Sequence, residues 1–215
     1  MGMKHATTGS FLLLLSLGAC ASSPGADLAT NERLYVDSGY VCKLPGDRSV
    51  FVAPLADARQ PALDATTLGQ FPIAYDADGR WERPIVDMVD DLLRREIEHS
   101  GVFRSVEVQP AAADIVLTPT LVTFATAAIE QMGGGRSLAE VGIRIQANGP
   151  AAADGVRPVL LDQVFGDREL TEVSFRTASR HVLAGAATRL AIVRALQGLD
   201  SKSIGRNGMP ATASK

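Results

Sequence analysis

The clearest periodicity in the chain lies between Pro84 and Gly101. Ile85, Met88, Val89 and Leu92 recur at spacings of three and four, and Val86, Leu93 and Ile97 widen the stripe. This spacing predicts an amphipathic helix with one face on a sheet. Pro84 suits its first turn, where a missing N–H costs nothing, and Gly101 suits the left-handed cap that stops it. Asp90–Arg94 and Asp91–Arg95 stand four apart in the favourable order, each pair contributing about 0.2–0.5 kcal/mol. Glu96 breaks the pattern. Projected at about 100° per residue it falls inside the apolar stripe. Either it pairs with a buried Arg or hydroxyl, or the last turn overhangs the sheet and stays wet. The overhang is favoured, because carboxylates are rarely buried.

Elsewhere the pattern has a period of two. Residues 49–55 form a β-branched and aromatic strand that Pro54 ends. A long connection over about 57–81 follows, in which 71–75 reads as a short edge strand. Residues 103–108 alternate as a half-buried strand. Residues 114–126 form a longer one, demoted by Pro119 to an edge or bulged strand. Beyond the glycines at 133–135, Val141, Ile143, Ile145 and Ala147 alternate with polar residues, so the two runs read as a β-hairpin. The last strand is 158–170. A second helix over 177–199 carries Val182, Leu183, Ala186, Leu190, Val193 and Leu196 on its stripe. Residues 32–48 read as an extended lead-in pairing with the sheet. The sum is an α+β two-layer sandwich, with a mixed or antiparallel sheet of about five strands and two amphipathic helices on one face.

The amino end changes the picture. Lys4 and His5 precede a short apolar run, 11–17, which ends in Leu17-Gly18-Ala19-Cys20. A basic start, a short apolar core and small residues at the cut make a secretory signal. The run is too short to span a bilayer, which takes about 20 apolar residues. Leu17-Gly18-Ala19-Cys20 resembles the lipobox of bacterial lipoproteins. That resemblance implies cleavage before Cys20 and acylation of Cys20, with several chains making attachment permanent where one would not. Ala21 and Ser22, in place of an Asp after the cysteine, imply the inner leaflet of the outer membrane, facing the periplasm. The expected organisation is a signal at 1–19, a flexible tether at 20–32, one domain at 33–200 and a disordered tail at 201–215.

The formal charge is −3 for the 215 residues, and −4 without residues 1–19, where Lys4 is the only charge. Mild acidity without a basic stripe argues against nucleic acid as a partner. With Cys20 acylated, Cys42 is left unpaired, and its neighbours Tyr40 and Val41 favour a buried small hydrophobe.

No residue set reads as catalytic, cofactor-binding or metal-binding, and the chain is expected not to be an enzyme. His99 and His181 lack a nucleophile and an orienting carboxylate at readable spacing. The glycines at 133–135 lack the Lys-Ser/Thr of a phosphate loop. Asp76-Ala77-Asp78-Gly79 lacks the third ligand and distant Glu of a calcium loop, and reads as a turn.

Three motifs remain: Arg80-Trp81-x-x-Pro84 before the first helix, Ser100-Gly101-x-Phe103 after it, and Ala113-Asp114-x-x-Leu117 in a strand. In that order they resemble the auxiliary lipoproteins of ABC-type envelope transport systems, the group associated with MCE-type lipid transporters. The resemblance implies a lipid-anchored, non-catalytic adaptor. Its partners would be the membrane through acylated Cys20, envelope transport or assembly proteins, and further copies in a homo-oligomer. Ser-Gly-x-Phe after a helix also resembles the TolB N-terminal fold, which implies a cell-wall synthase activator or secretion-pore component. A small periplasmic lipid-binding protein is a third reading. The strand with Pro119, the loop 75–81 and the exposed side of the sheet are candidate docking surfaces.

Overall fold

The apolar stripe after Pro84 folds as α1 (Ile85–Ser100), with Ile85, Met88, Val89, Leu92, Leu93 and Ile97 buried. Burying each such side chain stabilises the fold by roughly 1.5–3 kcal/mol. Gly101 closes the helix in the left-handed conformation at φ 68°. The computed structural model describes residues 26–59, 80–131, 134–173 and 180–207, without the side chains of 127–131, 134–137 and 167–173. The signal, Cys20, the run 71–75, Asp76–Gly79 and the tail beyond 207 lie outside the described residues.

The strands are β1 (Ser49–Val52), β2 (Ala56–Asp57), β3 (Ser105–Val106), β4 (Ile115–Gln131), β5 (Gly134–Asn148) and β6 (Val159–Val173). The second helix, α2, is Arg180–Ser201. They form one mixed six-stranded sheet in the order β3-β1-β4-β5-β6, with β2 also on β4. β1 runs parallel to β3 and β4, whereas β4, β5 and β6 are antiparallel neighbours. One face carries Val50, Val52, Ile115, Leu117, Leu121, Val141, Ile143, Ile145 and Ala147, all buried in one cluster with both helices. Thr118, Arg144 and Asp162 on the other face are exposed. This is the expected α+β sandwich. Among the described residues it has six strands rather than about five, because the short β2 forms just beyond the predicted run 49–55.

Of the two readings of the strand with Pro119, the bulged one holds and the edge one does not. β4 is an interior strand, flanked by β1 and β2 on one side and β5 on the other. β1 pairs as far as Leu117 and β2 resumes at Thr120. Pro119 therefore faces the break between them, where a missing N–H forfeits no ladder bond. The register shift comes later, between Leu121 and Thr123. β3 is shorter than 103–108: Phe103 is buried, and Val108 is 92% exposed.

The lead-in does not pair as a strand with the sheet. It is a strap laid along both helices. Leu28, Tyr35 and Cys42 are buried in the core cluster, and Leu28 N lies 3.4 Å from Met88 Sδ. The expected tether thus ends sooner, since Asp27 and Leu28 are already buried. The carboxyl end is packed further than expected as well. Ile204 is buried, and Asp47 and Arg48 N–H groups donate to Gly205 O.

α2 buries only part of the expected stripe: Leu183 and Leu196 are in the core, Ala186, Leu190 and Val193 are half-buried, and the helix is rotated toward its alanines. Val182 is 40% exposed, whereas Ala184, Ala187, Ala191 and Ala195 are fully buried. The helix is apolar nearly all round, so spacing alone leaves its rotation open. Tight contacts set it instead. A Cβ on Gly185 would lie 1.7 Å from Leu34 O, and one on Gly198 would lie 2.5 Å from the Phe165 ring.

Candidate functional site

The three motifs occupy the junctions at which the strap, α1 and the sheet are joined. At one pole Ala26 forms a parallel bridge with Trp81, and Glu82 N–H donates to Ala26 O at 3.1 Å. Trp81 is 5% exposed. It stands edge-to-face on Phe124 of β4 at 5.8 Å and on His181 of α2 at 4.4 Å. One aromatic side chain therefore ties strap, sheet and second helix together. Its Nε1 is buried without a hydrogen-bond acceptor among the described residues. His181 Nε2 lies 3.3 Å from Arg80 O. Pro84 is the residue flanking α1 rather than its first helical position. Arg83 bridges Asp27 of the strap at 2.9 Å and Asp91 of α1 at 2.6 Å. That leaves Arg95 to pair with Asp37 rather than with Asp91, at 2.7 Å. Asp90–Arg94 forms as the spacing predicts, at 2.8 Å.

In the last third of α1, Glu96 is buried, not overhanging. Its Oε1 accepts from Tyr35 Oη at 2.8 Å and Ser38 N–H at 2.7 Å, while Oε2 accepts from Ser38 Oγ. The strap brings these donors over the helix, so the carboxylate is satisfied where it sits. Burial, and then the Glu96 carboxylate, push the Tyr35 phenol far above its ordinary range. Tyr40 donates to Asp200 near the end of α2 at 2.8 Å. Burial and that carboxylate push its phenol up to about 12.

At the far pole Ser100 Oγ donates to Ile97 O and accepts from Val102 N–H. Cys42 N–H donates to Ser100 O and Gly46 N–H to Gly101 O, both at 2.9 Å. Cys42 is a buried free thiol, as its neighbours suggest. Phe103 is buried beside this junction. Asp114 accepts from Ser49 N–H at 2.9 Å and Ser49 Oγ at 3.0 Å. The Ser49 N–H bond holds the Asp114 carboxyl below its usual range. This seats β1 on β4, with Ala113 and Leu117 buried on either side. Arg157, which sequence spacing gives no reason to choose, donates to the carbonyls of Asp114, Gly149, Pro110 and Ala113. It pins the 149–158 loop to the start of β4.

The predicted site residues in the described part thus form two structural junctions rather than one chemical centre. His99 is exposed in the last turn of α1, and His181 packs on Trp81 at the other end of the helix pair. Among the described residues no three His, Cys, Asp or Glu side chains stand together as a metal site. Two surface clefts of about 470 and 400 Å³ lie over the strap, lined mainly by polar side chains such as Asp27, Asn31, Glu82, Asp37 and Arg95.

No protein-family model and no curated protein matches this chain. Among solved structures, it is similar to a Xanthomonas campestris protein of the DUF330 family, at TM-score 0.52 and 15% identity, over 77% of this chain and 92% of that one. A hypothetical protein from Chlamydia trachomatis matches at TM-score 0.44 and 8% identity, over 74% and 98% of the two chains. A lipoprotein from Neisseria meningitidis matches at TM-score 0.28 and 16% identity, over 70% and 98%. What the first of these establishes is architecture: this chain shares the fold of the DUF330 protein.

Proposed function

We propose that this chain is an outer-membrane lipoprotein, held by acylated Cys20 and facing the periplasm. There it acts as a non-catalytic auxiliary subunit of an envelope ABC-type lipid transport system. One observation carries the reading. The three motifs shared with the auxiliary lipoproteins, spread from Arg80 to Leu117, hold strap, helix and sheet in one frame at Trp81, Ser100–Gly101 and Asp114. Motif residues used in this way specify a shape, and a shape presented to partners is what an adaptor supplies. The test is affinity purification of the full-length chain from envelope membranes. Transporter subunits are expected in the eluate. A cell-wall synthase or secretion pore in their place supports the TolB-like reading, and a bound lipid without protein partners supports the lipid-binding one.

A further inference from the structure

We propose that a second copy of this chain docks on the outer edge of β6, strand against strand about a two-fold axis at Phe165, so that two sheets become one. β6 ends the sheet, and among the described residues nothing pairs with its outer side. It runs for 15 residues, whereas β3, at the opposite edge, has 2. Native sheets shorten, bulge or cover an edge, because its free N–H and C=O groups are a template for another strand. β6 instead stays in register with β5 without a shift from Gly135 to Ala147.

One bond shows which residues face outward. Arg194 of α2 donates to Gly166 O at 2.6 Å, so that carbonyl points away from β5. Alternation turns the backbone groups of Asp162, Val164, Arg168 and Leu170 outward with it. Two antiparallel strands bond only where outward residues meet outward residues. Of the two-fold registers centred on residues 164 to 169, only that on Phe165 opposes unlike charges: Asp162 stands against position 168, an arginine, once on each side of the axis. The same register sets Leu160 against position 170, a leucine, and opposes no like charges. Centres at 167, 168 and 169 would set two aspartates, two arginines or two glutamates together, which is destabilising. Gly166 O keeps a second lone pair for the Val164 N–H of the other copy.

The helix above this edge fits the same partner. Leu190 stands one turn before Arg194, and Ala186 one turn before that, on the flank that overhangs β6. With Val193 and with Val182, 40% exposed, they form an apolar stripe that the sheet only half buries. Paired residues point to one face, so both helix layers lie on the same side of the joined sheet. The two stripes then face each other across the axis.

The test is sedimentation equilibrium of the full-length protein in a density-matched detergent, where a dimer is expected. Val164→Pro keeps the β5–β6 ladder, because the N–H it removes points outward. It should give a monomer with the far-UV dichroism of the parent. Asp162→Arg should raise the dimer dissociation constant about tenfold or more, and adding Arg168→Asp should restore it. A monomeric parent overturns the proposal, as does a dimer that neither Val164→Pro nor Asp162→Arg weakens. A charge-exchanged double variant no tighter than Asp162→Arg alone overturns the register. If Val164→Pro fails to fold, the charge exchange decides.

Discussion

Removing the partners of Glu96 one at a time, then together, measures how firmly the strap is held. Glu96 is 3% exposed and accepts from Tyr35 and from the backbone and side chain of Ser38. Tyr35→Phe takes one donor from a buried carboxylate. A hydrogen bond to a charged group contributes about 1.5–3 kcal/mol, which is the expected loss. Glu96→Leu fills the same space but strands the buried Tyr35 hydroxyl, while Ser38 lies nearer solvent. The expected loss is about 2–4 kcal/mol. In the double variant carboxylate and phenol hydroxyl are both gone, and the second substitution should cost almost nothing once the first is made. The coupling energy is therefore expected at about 1.5–3 kcal/mol, above the ~0.5 kcal/mol scatter of independent sites. Urea denaturation of the chain from residue 26 onward gives all four stabilities. Far-UV dichroism and the emission of Trp81, the one tryptophan, report the transition. Losses that simply add would mean that Glu96 is solvated and that the strap is not clamped there.

Three further outcomes are expected. Gly185→Ala places a methyl group where Leu34 O now sits 1.7 Å away; lifting the strap should cost about 1–3 kcal/mol, read by urea denaturation, and limited proteolysis should cut first between Arg33 and Lys43. The depressed carboxyl of Asp114 contributes stability that is present above its unfolded value of about 3.9 and is lost as pH falls through the lower folded value. Asp114→Ala should accordingly cost about 1–2 kcal/mol at pH 7, and the gap to the parent should close below about pH 4, a trend followed by denaturation at stepped pH; a gap constant to pH 2.5 would refute the assignment. Arg157→Ala should cost about 2 kcal/mol with Arg157→Lys recovering less than half, because an ammonium lacks the planar fork that reaches several carbonyls; thermal unfolding of the three proteins decides it.

The parts of this fold legible in the sequence were those where one local rule acted alone. α1 had a stripe, a flanking proline and a glycine stop, and β5 had strict alternation, so spacing gave their inner faces directly. Glu96 was legible only as an anomaly, since its partners Tyr35 and Ser38 lie about sixty residues earlier and no periodicity links them. The rotation of α2 was hidden for the opposite reason: most positions are apolar or small, and tertiary contact with Leu34 and Phe165 selects the face. Pro119 read as a sign of an edge or a bulge, and the edge reading failed because a missing N–H was assumed to face a neighbour. The break after Pro54 supplies an interior position with no neighbour to bond. Arg157 left no trace, because backbone carbonyls brought together by folding carry no sequence signature.

The strap also fixes when the chain can finish folding. Its bonds join Tyr40 to Asp200 and Asp47 to Asn207, separations of 160 residues. During synthesis the first residues of the domain to emerge have no seat until the last helix follows them. Closing loops of that length precedes any return in contact energy, which makes such topologies slow to form. Until then Leu28, Tyr35 and the groove they fill are all exposed to water. A chaperone that shields this amino-terminal stretch would be needed for just that interval.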